Sequence, residues 1–485
     1  MSLEGKAARG ALWTVASSIG GRAVGVIDTL AMTRFLSTDE IGEVSVAVIM
    51  CMTANWLSVW GFGQYAVVNG RGDDRTEVIW HATVLYVGLG AIALGLVALF
   101  GHYLLPAFHA ESAAGFIPGM ALALWIKRLG AMPERTLTME MNFHATGVAL
   151  ALGELTYTVT ALSFAAMGWS SMSIVIGNIA QSIVVAGVFI RAAGIRSWAT
   201  PTPLRWSRIK AIMKYGWPLG VQGIAHNASR YWDNLAISHF FGTDTTGAYN
   251  MAYNLADIPA IQVGEQIAIV LLPSLAAMPH DRRGAALVRS TALLSLIIFP
   301  LAIGLGLVAD PLIAAILPAN RWQEVAPLLT VLACLSVFRP ITWVLSAYME
   351  AESKTARTMI IEVLKLGVLI GGIAALARYG PRASAAAVGI AFGASAIAGV
   401  GLVIREIPNP MQLIIGFLQP LVACAVMAAA VYGVRTFAHG WSSWFQLVVE
   451  IGVGAAAYVV AALVLCRTTA KDLLQLLRKA LKKST

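Results

Sequence analysis

Ionisable side chains stand inside stretches of this chain that are otherwise apolar enough to cross a membrane. The cations are Arg22, Lys127, Arg128, Arg230 and Arg339. The acids are Asp28, Glu154, Asp233, Glu265 and Glu362, with Lys365 close to the last. A charge near mid-membrane costs about 2.5–3.5 kcal/mol even on the lenient insertion scale, so each needs a reason. Glu362 and Lys365 are three residues apart on one helical face and can neutralise each other. Arg230 and Asp233 share that spacing. Arg22, Lys127 and Arg128 have no acid within a helical turn, which calls for a water-filled cavity or an anionic ligand. Arginine suits phosphate oxygens through two-pronged hydrogen bonds. The five cations are therefore expected to bind an anionic substrate. Asp28, Asp233, Glu154, Glu265, Glu362 and Lys365 are expected to serve ion coupling or gating. No spacing singles out one acid among them, and no metal or cofactor is expected.

The elements that carry these residues must be membrane helices. Charged residues make up 12% of the 485 and hydrophobic ones 58%, a balance unlike that of a soluble enzyme. The net charge of +9 fits basic cytoplasmic loops rather than nucleic acid. Cys51, Cys334, Cys424 and Cys466 sit in apolar runs without a C-x-x-C and read as packing residues. The first span is too long for a signal-peptide core and is read as retained.

Hydropathy predicts an all-α polytopic membrane protein of about fourteen transmembrane helices. The expected organisation is a six-helix lobe (1–192), a basic cytoplasmic linker (193–214), and a second six-helix lobe (215–405). An extra helix pair (406–467) and a basic amphipathic tail (468–485) suited to a membrane surface complete it. The lobes are tied by a repeat. Asp28–Gly42 (DTLAMTRFLSTDEIG) recurs 205 residues later as Asp233–Gly247 (DNLAISHFFGTDTTG). Asp28 recurs as Asp233, whereas Arg230 aligns with Gly25. Thr38-Asp39 and Thr243-Asp244 are expected to cap the helices that follow. Six spans per lobe is an even number, so the repeat is parallel. Arg196, Arg205, Arg208, Lys210 and Lys214 place the linker and both termini in the cytoplasm, while loops 108–112 and 242–246 carry no Lys or Arg and face outward.

Several stretches resemble a known family: Thr33–Gly42 (TRFLSTDEIG), Trp60–Val68 (WGFGQYAVV), Pro133–Phe143 (PERTLTMEMNF), Asp233–Gly247, Tyr249–Pro259 (YNMAYNLADIP) and Leu271–Leu275 (LLPSL). They are similar to the polysaccharide-transporter, or oligosaccharide-flippase, branch of the multidrug/oligosaccharidyl-lipid/polysaccharide exporter superfamily. Glu140–Asn142 departs from the pattern, lacking the basic residue usual before the final Phe. The resemblance runs end to end. It implies two lobes around a central cavity, alternating access, and an undecaprenyl-pyrophosphate-linked oligosaccharide moved across the bacterial cytoplasmic (inner) membrane. On that reading the cations hold the pyrophosphate and acidic sugars. Membrane lipids are further partners, and a polysaccharide polymerase and glycosyltransferases are candidate ones. A multidrug exporter of the same fold is the nearest alternative, but cationic drugs favour an acid-lined cavity. A membrane glycosyltransferase or acyltransferase is disfavoured by the lack of D-x-D and H-x-x-x-D. Direct ATP coupling is disfavoured by the lack of a Walker-type loop.

Overall fold

The computed structural model describes residues 25, 28–70, 74–140, 142–259, 271, 275, 278–318, 322–352, 354–407, 409–438, 440–473 and 475. Among them every regular element is helical, and ten helices are long and apolar enough to cross a membrane. The protein is an all-α polytopic membrane protein. The other expected spans have reasons for standing apart. The first and eighth lie partly outside the described residues, the fourth carries Lys127, Arg128, Glu134 and Arg135, and the seventh is rich in Gly, Trp, Asn and Ser. Most of the amphipathic tail also lies outside the described residues. The chain divides into two compact units, Met1–Gly247 and Ala248–Thr485.

The first unit holds α1 (Thr38–Leu57), α2 (Phe62–Asn69), α3 (Arg75–Phe100), α4 (Ile117–Met139), α5 (Phe143–Ala166) and α6 (Met172–Ala193). The stretch Trp206–Pro259 is two helices, α7 (206–241) and α8 (243–259), broken at Gly242, whose φ of 81° suits a residue without Cβ. The cap of α1 falls one residue before the expected position. Ser37 accepts from the Glu40 amide and Glu40 reaches back to the Ser37 amide at 2.7 Å, a complete capping box. That leaves Thr38 and Asp39 available to bond outward. The Thr38 hydroxyl donates to Asp244, and the Thr243 hydroxyl donates to Asp39. Gly42 packs on the Thr243 carbonyl and Gly247 on the Thr38 carbonyl, so closely that a methyl on either would overlap the oxygen. The two copies of the motif thus clasp each other. Beside them Ser112 donates to Glu43, and Ser238 donates to the Phe108 carbonyl at 2.5 Å.

The opposite end of α7 is fastened too. Arg208 meets Asp74 at 2.6 Å and Glu77 at 3.4 Å. The Arg205 amide donates to His81 Nε2 at 2.9 Å, so Nδ1 carries the proton that His81 gives to the Glu77 carbonyl at 2.7 Å. Tyr215 meets Tyr65 edge-on with centroids 5.4 Å apart, and Gly216 lies against the Trp60 carbonyl. Because α7 begins at Trp206, the part of the expected linker outside α-helix is confined to 194–205. Residues 108–112 and 242–246, expected as loops, gather at one end of the unit, and residues 74–77 with the linker at the other.

The second unit holds α9 (His280–Leu307), α10 (Ala309–Ile316), α11 (Val325–Leu335), α12 (Arg339–Ala351), α13 (Thr355–Leu376), α14 (Pro381–Val403), α15 (Pro410–Arg435) and α16 (Ser443–Leu465). Leu287, Leu294 and Ile298 of α9 pack on Val344, Leu345 and Tyr348 of α12. The extra pair α15–α16 is held by more than apolar contact. Arg435 grips the fully buried Glu450 with both prongs, at 2.9 and 3.1 Å, and caps α9 through the Leu307 carbonyl at 2.5 Å. Tyr458 donates to the Leu296 carbonyl at 2.7 Å. The four cysteines are free.

Candidate functional site

Arg128 is only 2% exposed and has found its partners in neutral oxygens, two backbone and two side-chain, rather than in carboxylates. Its donors reach Asn55 Oδ1, the Asn55 carbonyl and the Tyr86 carbonyl at 2.6 Å each, and Ser58 Oγ at 2.5 Å. The Tyr86 ring lies 4.7 Å from its centre. Gly90 leaves the room: a methyl there would overlap the guanidinium. Four of five N–H donors are thereby spent. The charge sits at the carboxyl end of α1, where the helix dipole attracts it. Arg128 is built as a helix cap, which separates it from the other expected substrate ligands.

The neighbouring Lys127 is exposed on the same helix. It lies within electrostatic reach of Glu154, which also accepts from Gln181 Nε2 at 3.0 Å. Asp28, 3% exposed, lies within reach of Glu154 and of Tyr157. Its Oδ1 has no hydrogen-bond partner among the described residues. A buried and a half-buried carboxylate, a lysine and an amide thus meet between the end of the first span, α4, α5 and α6.

On α7, Asp233 is 1% exposed and accepts from the Asn234 amide at 2.9 Å and from Asn234 Nδ2 at 3.0 Å. Arg230 is half-buried, with its guanidinium 5.8 Å from the Tyr231 ring, which in turn packs on Trp56. Trp232 Nε1 donates to Thr53 Oγ1 at 3.1 Å, so α7 faces α1 through aromatic and hydroxyl groups. Arg22 and Glu265 lie outside the described residues.

The second unit gathers the remaining charges around one ring. Arg339 is ion-paired with Asp257, and its guanidinium lies 4.8 Å from the Phe392 ring and 5.1 Å from that of Tyr253. Lys365 meets Glu362 at 2.7 Å, as their spacing predicted, and also lies 5.2 Å from Phe392. Arg339 and Lys365 are 4% and 7% exposed. Two cations and two carboxylates therefore cancel within a small volume of low dielectric. Asp257 and Phe392 are not singled out by sequence reasoning. Asp257 stands in the Tyr249–Pro259 motif one turn after Tyr253, a signal that could have found it; Phe392 has none. Among the described residues, no cluster of His, Cys, Asp and Glu could hold a metal ion.

A family model described as "Polysaccharide biosynthesis protein" matches residues 31–327. The succinoglycan biosynthesis transport protein ExoT of Rhizobium meliloti (strain 1021) is 24% identical over 481 residues, covering 96% of this chain and 94% of that one. The lipopolysaccharide biosynthesis protein WzxC of Escherichia coli (strain K12) is 21% identical over 381 residues, 77% of this chain and 75% of that one. A solved structure of the lipid II flippase MurJ in an inward closed conformation has a TM-score of 0.78 at 13% identity. It covers 96% of this chain and 100% of that one.

Replacing Arg128 with Leu removes four charge-assisted hydrogen bonds that tie α4 to the end of α1 and to α3. The expected outcome is poor accumulation and a lowered melting temperature in detergent. Lys127→Gln, one residue away but exposed, should leave both unchanged. Equal thermal stability of the Leu variant and the unaltered protein would rule out the cap.

Proposed function

Because the chain belongs to the polysaccharide biosynthesis protein family, we propose that it flips an undecaprenyl-pyrophosphate-linked oligosaccharide from the cytoplasmic to the outer leaflet of the bacterial inner membrane. The product would feed exopolysaccharide, capsule or O-antigen synthesis. The chain is a multi-pass membrane transporter rather than an enzyme. The observation that carries the finer reading is the difference between Arg128 and the other buried cations. Arg128 spends its donors on neutral carbonyl and hydroxyl oxygens, two of them backbone, whereas Arg339 and Lys365 are balanced by carboxylates and an aromatic face. Partners of that kind can be exchanged for an anionic ligand without breaking a helix. Arg22, Lys127, Arg230 and Arg339 are assigned to the pyrophosphate and acidic sugars, and Arg128 to holding α1.

Transport is assigned to ion-coupled alternating access. The Asp28–Glu154 pair takes the coupling role in the first unit, where protonation or a bound cation would relieve two carboxylates held in a low-dielectric setting. Asp233, Glu265 and the Glu362–Lys365 pair are assigned to coupling or gating. Helix α7 is the moving part. Its outer fastening is Ser238 on the Phe108 carbonyl, with the clasp between residues 38–42 and 243–247 just beyond Gly242, and its inner one is Arg208 with Asp74 and Glu77. In the cycle these would open alternately, each a discrete two-state contact.

Three measurements test this. Reporters fused at Thr200 and at the C-terminus should read cytoplasmic and one at Thr245 periplasmic; agreement between Thr200 and Thr245 would refute the topology. Arg230→Gln should lower surface polysaccharide roughly ten- to hundredfold, the worth of one charged hydrogen bond, and leave lipid-linked precursor on the cytoplasmic face. Arg230→Lys should rescue part of it, since charge remains without the two-pronged geometry. Normal polymer output from well-expressed Gln variants at Arg230 and Arg339 would defeat the anionic-substrate reading. For coupling, Asp28→Asn and Asp233→Asn keep shape and remove charge. Both proteins should accumulate while transport loses its dependence on the ion gradient, and full gradient-dependent transport in both would leave these acids a structural role.

A further inference from the structure

Helix α15 carries a polar stripe on a face that packing does not consume. Asn409, Gln412, Gly416 and Gln419 fall at i, i+3, i+7 and i+10, one side of the helix. Gly416 lets α9 approach, with a methyl there coming to 2.9 Å of Ala292 Cβ. The rest of the stripe borders a cavity of about 400 Å³ closed by α9 and by the chain that follows α16. Arg289 and Asp472 meet at its mouth at 3.0 Å, both partly exposed. The neighbouring recess, about 380 Å³, is lined by Ile415, Leu418, Val422 and Leu465, with Gln419 on the border of both. The polar cavity lies where α15 begins and α16 ends, and the apolar recess runs from it along α15 beside the last residue of α16.

Depth makes this arrangement unusual. Gln419 is nine residues into α15, or about 13 Å along it. Headgroup regions extend only about 5–7 Å beyond each face of the hydrocarbon. A side-chain amide at that level is costly unless it is bonded. Among the described residues no intramolecular hydrogen bond satisfies the side-chain amides of Asn409, Gln412 or Gln419. A partner from the membrane would satisfy them.

We propose that these recesses hold one zwitterionic phospholipid of the ethanolamine type. Its phosphate lies on Arg289, its ammonium on Asp472, and its ester carbonyls accept from Gln419 and Gln412. One acyl chain follows Ile415, Leu418 and Val422 inward. Charge complementarity selects this occupant. An anionic headgroup would satisfy Arg289 and confront Asp472, whereas a phosphate–ammonium pair fits between the two and replaces their mutual contact. The cavity volume is within the range of small-ligand sites, about 300–1,000 Å³. The lipid would pin the extra helix pair to α9 at the end opposite the Arg435–Glu450 lock. The assignment is independent of what the protein transports.

The full chain, purified and reconstituted in bilayers of equimolar phosphatidylethanolamine and phosphatidylglycerol, is released and weighed by native mass spectrometry. The unaltered protein should retain one phosphatidylethanolamine at about tenfold preference, a gap of roughly 1.4 kcal/mol. Asp472→Asn should erase the preference while keeping one lipid bound, and Arg289→Gln should lose the lipid of either kind. Arg289→Lys and Asp472→Glu, which keep charge, should retain the preference, and they decide the matter if the first pair does not fold. A bare salt bridge would make Asp472→Asn and Arg289→Gln alike in every readout. Retained lipid that follows bulk composition, a preference for phosphatidylglycerol, or selection unchanged in both charge-removing variants overturns the proposal.

Discussion

A helix end concentrates negative dipole and carbonyl oxygens at one place, and Arg128 answers that constraint for α1. The guanidinium gathers the Asn55 carbonyl, the Ser58 hydroxyl and the Tyr86 carbonyl around one charge. With α1 ended there, the chain can turn through Gly61, at a φ of 66°, and restart as α2. That turn presents Trp60, and its carbonyl receives Gly216 of α7. A buried charge that looks out of place by hydropathy is thus what permits the break on which α7 rests.

The buried cations differ in what they hold rather than in what they are. Arg128 holds carbonyls and Arg435 holds Glu450 with a helix end; both close contacts within the scaffold. Arg339 and Lys365 share a ring and two carboxylates, partners whose attraction is electrostatic and weakly directional. Local neutrality at Phe392 lets charge persist in apolar surroundings. The same neutrality means that adding or removing one proton or one phosphate would unbalance the group. Sensitivity and stability there come from one arrangement.

Much of this was legible in the sequence, for identifiable reasons. Composition and hydropathy carry the polytopic fold because the bilayer constrains length and polarity together. The Glu362–Lys365 pair follows from helical spacing, since both residues lie on one element. The surroundings of Arg128 were not legible because its partners, the Asn55 and Tyr86 carbonyls with the Asn55 and Ser58 side chains, lie on other helices, and backbone carries no letter in a sequence. Asp257 stayed hidden because its cation, Arg339, is distant in the chain. The cap of α1 shifted by one residue because two candidate hydroxyls stood side by side, and Glu40 selected Ser37.

The clasp of Thr38–Gly42 with Thr243–Gly247 has a symmetry written into its geometry. Each residue type meets its counterpart's partner: threonine to aspartate and aspartate to threonine, glycine on carbonyl and carbonyl on glycine. Such self-complementarity is the mark of an isologous contact, in which one patch recognises another copy of itself. In a single chain it gives the two copies of the motif a local two-fold relation, so a change in one copy alone would break a contact on both sides.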